Sequence, residues 1–160
     1  TTAAAVHQIG VLRRDPMAML PFCGYNMGDY FKHWINLGKS MPKPPKIFCV
    51  NWFRQDNLGN FIWPGFGENI RVLKWIIDRT KGKVKGRETP IGIVPKPEDM
   101  NLHGLNIDKQ NLDKLFEVEP YDWKQEIEDI RKFLEQFDDH MPKEMWEEYS
   151  KLKNKLKNNY

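Results

Sequence analysis

The chain has 160 residues, 40% of them hydrophobic and 29% charged, and its 25 basic residues against 22 acidic ones leave a formal net charge of +3. That length suits one compact domain or part of a larger one, and the composition is that of a soluble globular chain and not of a disordered one. The small, evenly spread charge lacks the basic footprint of a nucleic-acid binder, no apolar run reaches the roughly 20 residues of a membrane span, and Cys23 and Cys49 form no metal-binding pair.

The first stretch, TTAAAVHQIGVLRRDP, has no sustained period. Ala3 to Ala5 offer a helix start, but Gly10 and Pro16 punctuate the residues after them, so it reads as a loop. The chain opens on Thr1-Thr2 without a methionine, which points to a fragment or a processed product, and nothing there has the order of a signal peptide. A cytoplasmic or mitochondrial-matrix protein is expected. NMGDYFKHWINLGK carries Tyr30, Phe31, Trp34, Ile35 and Leu37 at helical spacing behind a cap at Asn26, with Gly38 near the end. Pro42 to Pro45 form a stiff connector. KIFCVNWF then predicts a buried strand, RQDNLGN a turn through Asp56, Asn57 and Gly59, and FIW a returning strand, which together make a hairpin.

After PGFG, the segment ENIRVLKWIIDRTKG places Ile70, Leu73, Ile76 and Ile77 on one face and Arg71, Lys74 and Asp78 on another, with Gly82 as a stop signal. That is the pattern of an amphipathic helix. A short strand is expected at Ile91 to Val94, ended by Pro95 and Pro97. The remainder reads as helical: a short turn near Leu112 to Phe116, a helix over Trp123 to His140, and another from Pro142 to about Asn158.

The aromatic hairpin raises a functional question. If Phe53 ends one strand and Phe61 begins the next, the turn brings their rings close, and Phe66 comes after a reversal at Pro64-Gly65. Three rings around a flat ligand would stack on it with about 1 to 3 kcal/mol per ring. Gly65 and Gly67 would let the main chain approach a polar edge, and Asn69 offers an amide donor and acceptor. The residues alone leave open the alternative that these rings are core and that Asn69 caps its helix.

The strings DPMAMLPFCGYNMGDYFKHW, PKIFCVNWFRQDNLGNFIWPGFGENIRVLKW, TPIGIVPK and MNLHGLN, in unbroken order through most of the chain, resemble the GTP-dependent phosphoenolpyruvate carboxykinases. That family decarboxylates oxaloacetate and transfers the GTP γ-phosphoryl group to the enolate, a gluconeogenic step giving phosphoenolpyruvate, GDP and carbon dioxide. The resemblance implies the C-terminal part of a two-domain α/β fold. Residues 1–160 would be the C-terminal portion of the nucleotide-binding domain, made of short strands and a hairpin with a helical C-terminal end, and residues 1–12 its lid.

The resemblance further implies that guanine sits among Phe53, Phe61 and Phe66, with the motif F-G-E-N at Phe66, Gly67, Glu68 and Asn69. It implies an Ω-loop lid at Thr2, Ala3, Ala4 and Ala5, continuing through His7. Where the family carries a charged run after the alanines, this chain has Val6, Gln8, Ile9 and Gly10, and Leu20 stands where an arginine is usual.

GTP or GDP and oxaloacetate or phosphoenolpyruvate are the implied ligands, with Mn2+, and Mg2+ accompanying the nucleotide. The family's phosphate loop, metal ligands and substrate arginines lie upstream of the matched strings, and no G-x-x-x-x-G-K-S/T string occurs here. No catalytic residue and no metal ligand is therefore expected in the chain, which alone should be inactive and monomeric. The competing expectations are a non-catalytic guanine-nucleotide-binding module and a structural domain whose rings are core.

Overall fold

The computed structural model describes residues 2–3 and 8–9 as backbone and residues 14–119 and 121–157 in full. Two compact units emerge. One comprises Thr1–Pro44 with Pro120–Tyr160, the other Pro45–Glu119. The described residues combine five helices with two two-stranded antiparallel ladders, compatible with the C-terminal domain expected from the sequence.

In the first unit, Thr2–Ala3 (β1) pairs antiparallel with Gln8–Ile9 (β2), where the sequence, lacking strand alternation, reads as a loop. Helix α1, Met27–Ser40, starts where the Asn26 side chain accepts the Gly28 amide at 2.8 Å, a cap worth about 1 kcal/mol. A Cβ on Gly28 would lie 2.8 Å from the carbonyl carbon and oxygen of His140, so only glycine lets the first turn of α1 approach the 3-10 turn Asp138–His140 this closely. Two helices close the unit, Trp123–Glu135 (α4) and Lys143–Lys157 (α5).

The expected helix over Trp123 to His140 stops short because Asp138 turns left-handed (φ 46°), reversing the chain before Pro142. Met27, Phe31, Leu134, Phe137 and Met141 form the buried core, and Phe31, Phe133 and Phe137 meet edge to face with centroids 5.2 to 6.5 Å apart. Arg14 joins Glu126 at 2.9 Å and Asp129 at 3.1 Å, fastening the segment before α1 to α4.

In the second unit, helix α2 spans Asn69–Thr80, a hairpin pairs Arg87–Thr89 (β3) with Gly92–Val94 (β4), and α3 spans Lys109–Phe116. Asp108 begins α3 by accepting the Asn111 amide at 2.9 Å, a turn earlier than the apolar pattern suggests. The buried apolar residues here are Ile62, Trp63 and Trp75, with Phe48 set edge-on to Trp75 at 6.2 Å.

Two expectations need correction. KIFCVNWF forms no strand: it enters no ladder, because its flanking sequence offers it no partner. Trp75, not the stripe of Ile70, Leu73, Ile76 and Ile77, is the buried residue of α2: Ile70, Leu73 and Ile77 stand exposed and Ile76 is half-buried. No helix among the described residues is long and apolar enough to cross a membrane.

Candidate functional site

The loop between Phe53 and Phe61 is shaped by Asp56. Its carboxylate accepts the Leu58 amide at 2.8 Å, the Asn60 amide at 2.9 Å and the Asn60 side chain at 3.2 Å. Those bonds, the Asn60 amide first, hold its pKa below the ordinary carboxylate value. The reversal is closed by Asp56 N–H donating to the Asn60 carbonyl and Ile62 N–H to the Arg54 carbonyl, both at 2.9 Å. In place of the expected second strand at FIW there is a single bridge, Gln55 to Phe61. From outside the loop, Arg54 donates to the Glu117 carbonyl at 2.7 Å and Lys114 to Asn57 at 2.9 Å.

This reversal brings Phe53 and Phe61 together with ring centroids 5.6 Å apart and planes at 61°. They lean on each other edge to face, so a flat ligand fits over the pair and not between them. Phe66 makes no ring contact among the described residues. None of the three is core: Phe53 is 69% exposed, Phe61 59% and Phe66 96%, while Trp63, two residues from Phe61, is 7% exposed.

Gly65 carries φ 97° and ψ −146°, a conformation open essentially to glycine alone, and its carbonyl accepts the Glu68 amide at 2.9 Å to start the 3-10 turn Phe66–Glu68. Gly67 is different. Its φ is unexceptional, and a Cβ there would meet nothing within 4 Å, so the packing of the protein does not require glycine at this position.

Asn69 does not cap α2. Its side-chain oxygen accepts the indole N–H of Trp63 at 2.8 Å. Because an indole N–H only donates, this bond fixes which end of the amide is oxygen and leaves the NH2 group as a donor with no partner among the described residues. Glu68 is held in an ion pair with Arg71, whose guanidinium also bonds to the Asn101 carbonyl. Trp63 and Arg71 thus position the F-G-E-N residues, a role that their sequence context does not announce. The signal available for Trp63 was the need of a buried indole N–H for an acceptor nearby.

Of the expected lid residues, Thr2 and Ala3 lie in β1, and Ala4, Ala5 and His7 lie outside the described residues. Among the described residues no three His, Cys, Asp or Glu side chains gather where a metal ion could be held. His140 faces Asp29, with Nδ1 at 3.0 Å from the carboxylate, so it serves the fold of the first unit.

Comparison with known proteins agrees with the family resemblance. Residues 1–155 match the family model described as the phosphoenolpyruvate carboxykinase C-terminal P-loop domain. The chain is 50% identical over 159 residues to a protein of Chlamydia pneumoniae named phosphoenolpyruvate carboxykinase (GTP), covering 98% of this chain and 26% of that one. Proteins of the same name from Chlamydia muridarum and Thermoplasma volcanium are each 48% identical, over 98% and 97% of this chain and 26% of theirs. The chain therefore spans about a quarter of the length of these relatives. On the match over nearly its whole length, the chain belongs to the GTP-dependent phosphoenolpyruvate carboxykinase family.

Proposed function

We propose that this chain supplies the guanine-binding wall of a GTP-dependent phosphoenolpyruvate carboxykinase. The observation that carries the reading is the exposure of Phe53, Phe61 and Phe66 beside a buried Trp63. Three rings left in water by a chain that buries its neighbouring indole are available for a flat ligand, and each stacked ring contributes about 1 to 3 kcal/mol. The Phe53 and Phe61 pair offers one surface and Phe66 another, with Gly67 leaving room for the ligand to approach the main chain.

Asn69 gives the slot its preference. With its oxygen held by Trp63, the amide presents a donor, which suits the O6 acceptor of guanine and opposes the N6 donor of adenine. Glu68, paired with Arg71, braces the turn from behind. On this reading the alanine-rich segment through His7 closes over the reacting groups and shields the enolate from water. The phosphate loop, the metal ligands and the substrate arginines that phosphoryl transfer needs come from the rest of the family's polypeptide. The substrates are GTP and oxaloacetate, and the enzyme works as a cytoplasmic monomer to which this stretch alone gives no activity.

Titration of the chain with GDP, IDP and ADP, monitored by tryptophan fluorescence, tests the slot. GDP and IDP, which share O6, should bind alike and ADP at least about 10-fold more weakly, the factor that 1.4 kcal/mol represents. Equal affinity for ADP would remove the assignment of Asn69, and unchanged GDP affinity in Phe66→Ala would remove that of the ring.

A further inference from the structure

The rings of Phe53 and Phe61 meet edge to face, yet neither is held by burial, and their loop contributes a single bridge and no ladder. Two segments joined by one bridge are too weakly paired to keep two exposed rings together by themselves. Hydrogen bonds tie the loop to α3 at two points. At its entrance Arg54, the residue after Phe53, donates to the Glu117 carbonyl at 2.7 Å, and at its tip Lys114 donates to the Asn57 side-chain oxygen at 2.9 Å. Glu117 ends α3, so its carbonyl lies at the negative end of the helix, where carbonyls lack helical partners and favour a cation. The neighbouring Phe116 carbonyl accepts from Arg87 of β3. At the other end of α3, Asp108 accepts the Asn111 amide at 2.9 Å and its side chain at 2.7 Å. A helix capped at its start and anchored to a strand at its finish thus grips the loop. After the bonds from Asn60 and Leu58, the charge of Lys114 also helps to hold the Asp56 carboxyl below its ordinary value.

We infer that α3 braces the Phe53 and Phe61 platform, with Arg54 and Lys114 as positioning residues that act on the ligand only through the loop. The inference rests on the proposed guanine slot and adds a division of labour to it. Asn69, held by Trp63, meets a polar edge of the base and decides which base is preferred. The brace acts on the ring faces, and every purine offers a π-face to stack on them. Loss of the brace therefore lowers the affinity for all purine ligands by one factor and leaves their ranking unchanged.

The full chain and its variants Arg54→Ala, Lys114→Met and Lys109→Met, the last at the exposed start of α3 as a control, are titrated with GDP, ADP and guanosine by tryptophan fluorescence. Arg54→Ala and Lys114→Met should each bind GDP about 2- to 10-fold more weakly, the range that one hydrogen bond supports. Guanosine and ADP should weaken by the same factor, and Lys109→Met should match the parent. Lys114→Arg, which keeps a cationic donor for Asn57, should restore most of the affinity, and Asn57→Ala should add nothing to Lys114→Met, since the same bond is lost once. A loss seen with GDP but not with guanosine would make the two cations phosphate contacts and overturn the inference. A changed ratio of GDP to ADP affinity would overturn it too, by placing them in base selection. A second measurement needs no nucleotide: nuclear Overhauser effects between the Phe53 and Phe61 rings of the free chain should be lost in Arg54→Ala and in Lys114→Met and kept in Lys109→Met. Their survival in the first two variants would overturn the brace whatever the nucleotide data show. Their loss in a chain that binds no GDP would instead remove the guanine slot and leave the brace standing.

Discussion

The two units of this chain use apolar residues in opposite ways. Around α1, α4 and α5, Met27, Phe31, Leu134, Phe137 and Met141 bury one another, and the three phenylalanine rings interlock. Between Pro45 and Glu119 the buried set is Ile62, Trp63 and Trp75, while Ile47, Phe53, Phe61, Phe66, Ile70 and Ile77 are exposed. The first unit spends its hydrophobic residues on itself. The second leaves them exposed, and on the proposed reading three of the rings are held for a nucleotide.

Stability mutagenesis should separate the two most sharply. Phe31→Ala removes a ring packed against Phe133 and Phe137, and should cost about 3 to 5 kcal/mol in urea denaturation monitored by hydrogen exchange in α1 and α4. Leu73→Ala on the exposed side of α2 should stay within about 0.5 kcal/mol of the parent chain. A cost at Leu73 comparable to that at Phe31 would mean that its exposure is not the state in solution, and the contrast between the units would collapse.

Within the second unit, two substitutions in the slot should divide binding from folding. Phe66→Ala should leave unfolding unchanged while weakening GDP binding by the equivalent of about 1 to 3 kcal/mol, because the ring touches solvent and not core. Gly65→Ala should do the reverse first: a side chain at φ 97° and ψ −146° costs about 1 to 3 kcal/mol, and binding falls only as the 3-10 turn shifts. If Gly65→Ala is as stable as the parent in thermal unfolding, the turn relaxes freely and does not position Phe66.

The same contrast explains what was legible in the sequence. Helices α1, α4 and α5 were, because Asn26, Pro142 and the spacing of apolar residues are local signals and their partners lie in this chain. For α2 the period was legible but its orientation was not. Ile70, Leu73 and Ile77 look like the core side, and the burial of Trp75 depends on Phe48 and the approach of Gly86, which no local pattern announces.

The apolar run KIFCVNWF was read as a buried strand, and it is neither paired nor buried at Ile47, Cys49, Val50 and Phe53. It failed as structure because a strand exists only with a partner. Strand β3, Arg87–Thr89, was missed because Arg, Glu and Thr show no apolar alternation. In the slot, the three rings and Asn69 were legible as candidates, whereas the bond of Trp63 to Asn69 and the open space at Gly67 needed coordinates.

The smallest expected effects are those of pH, and they also fall in different places for the two units. In the first, the hydrogen bond from His140 to Asp29, then the charge of that carboxylate, raises the histidine pKa above its ordinary value near 6.5. Its contribution is complete below the unfolded value and disappears as pH rises through the folded one, so α1 and the turn at His140 should loosen on going from about pH 6 toward mild alkali. In the second, the lowered pKa of Asp56 means that its contribution is present above the unfolded carboxylate value near 3.9 and is lost as pH falls through the folded one. Hydrogen exchange by peptide can track both. Amides of the first turn of α1 should lose protection as pH rises, after correction for intrinsic exchange, and Asp29→Asn should remove that dependence without altering residues 54–62. Amides of 58 and 60 should lose protection only in acid, and Asp56→Asn should remove that response alone. A single pH response shared by both sets would show that the two units unfold as one, and would set aside the separation on which the comparison rests.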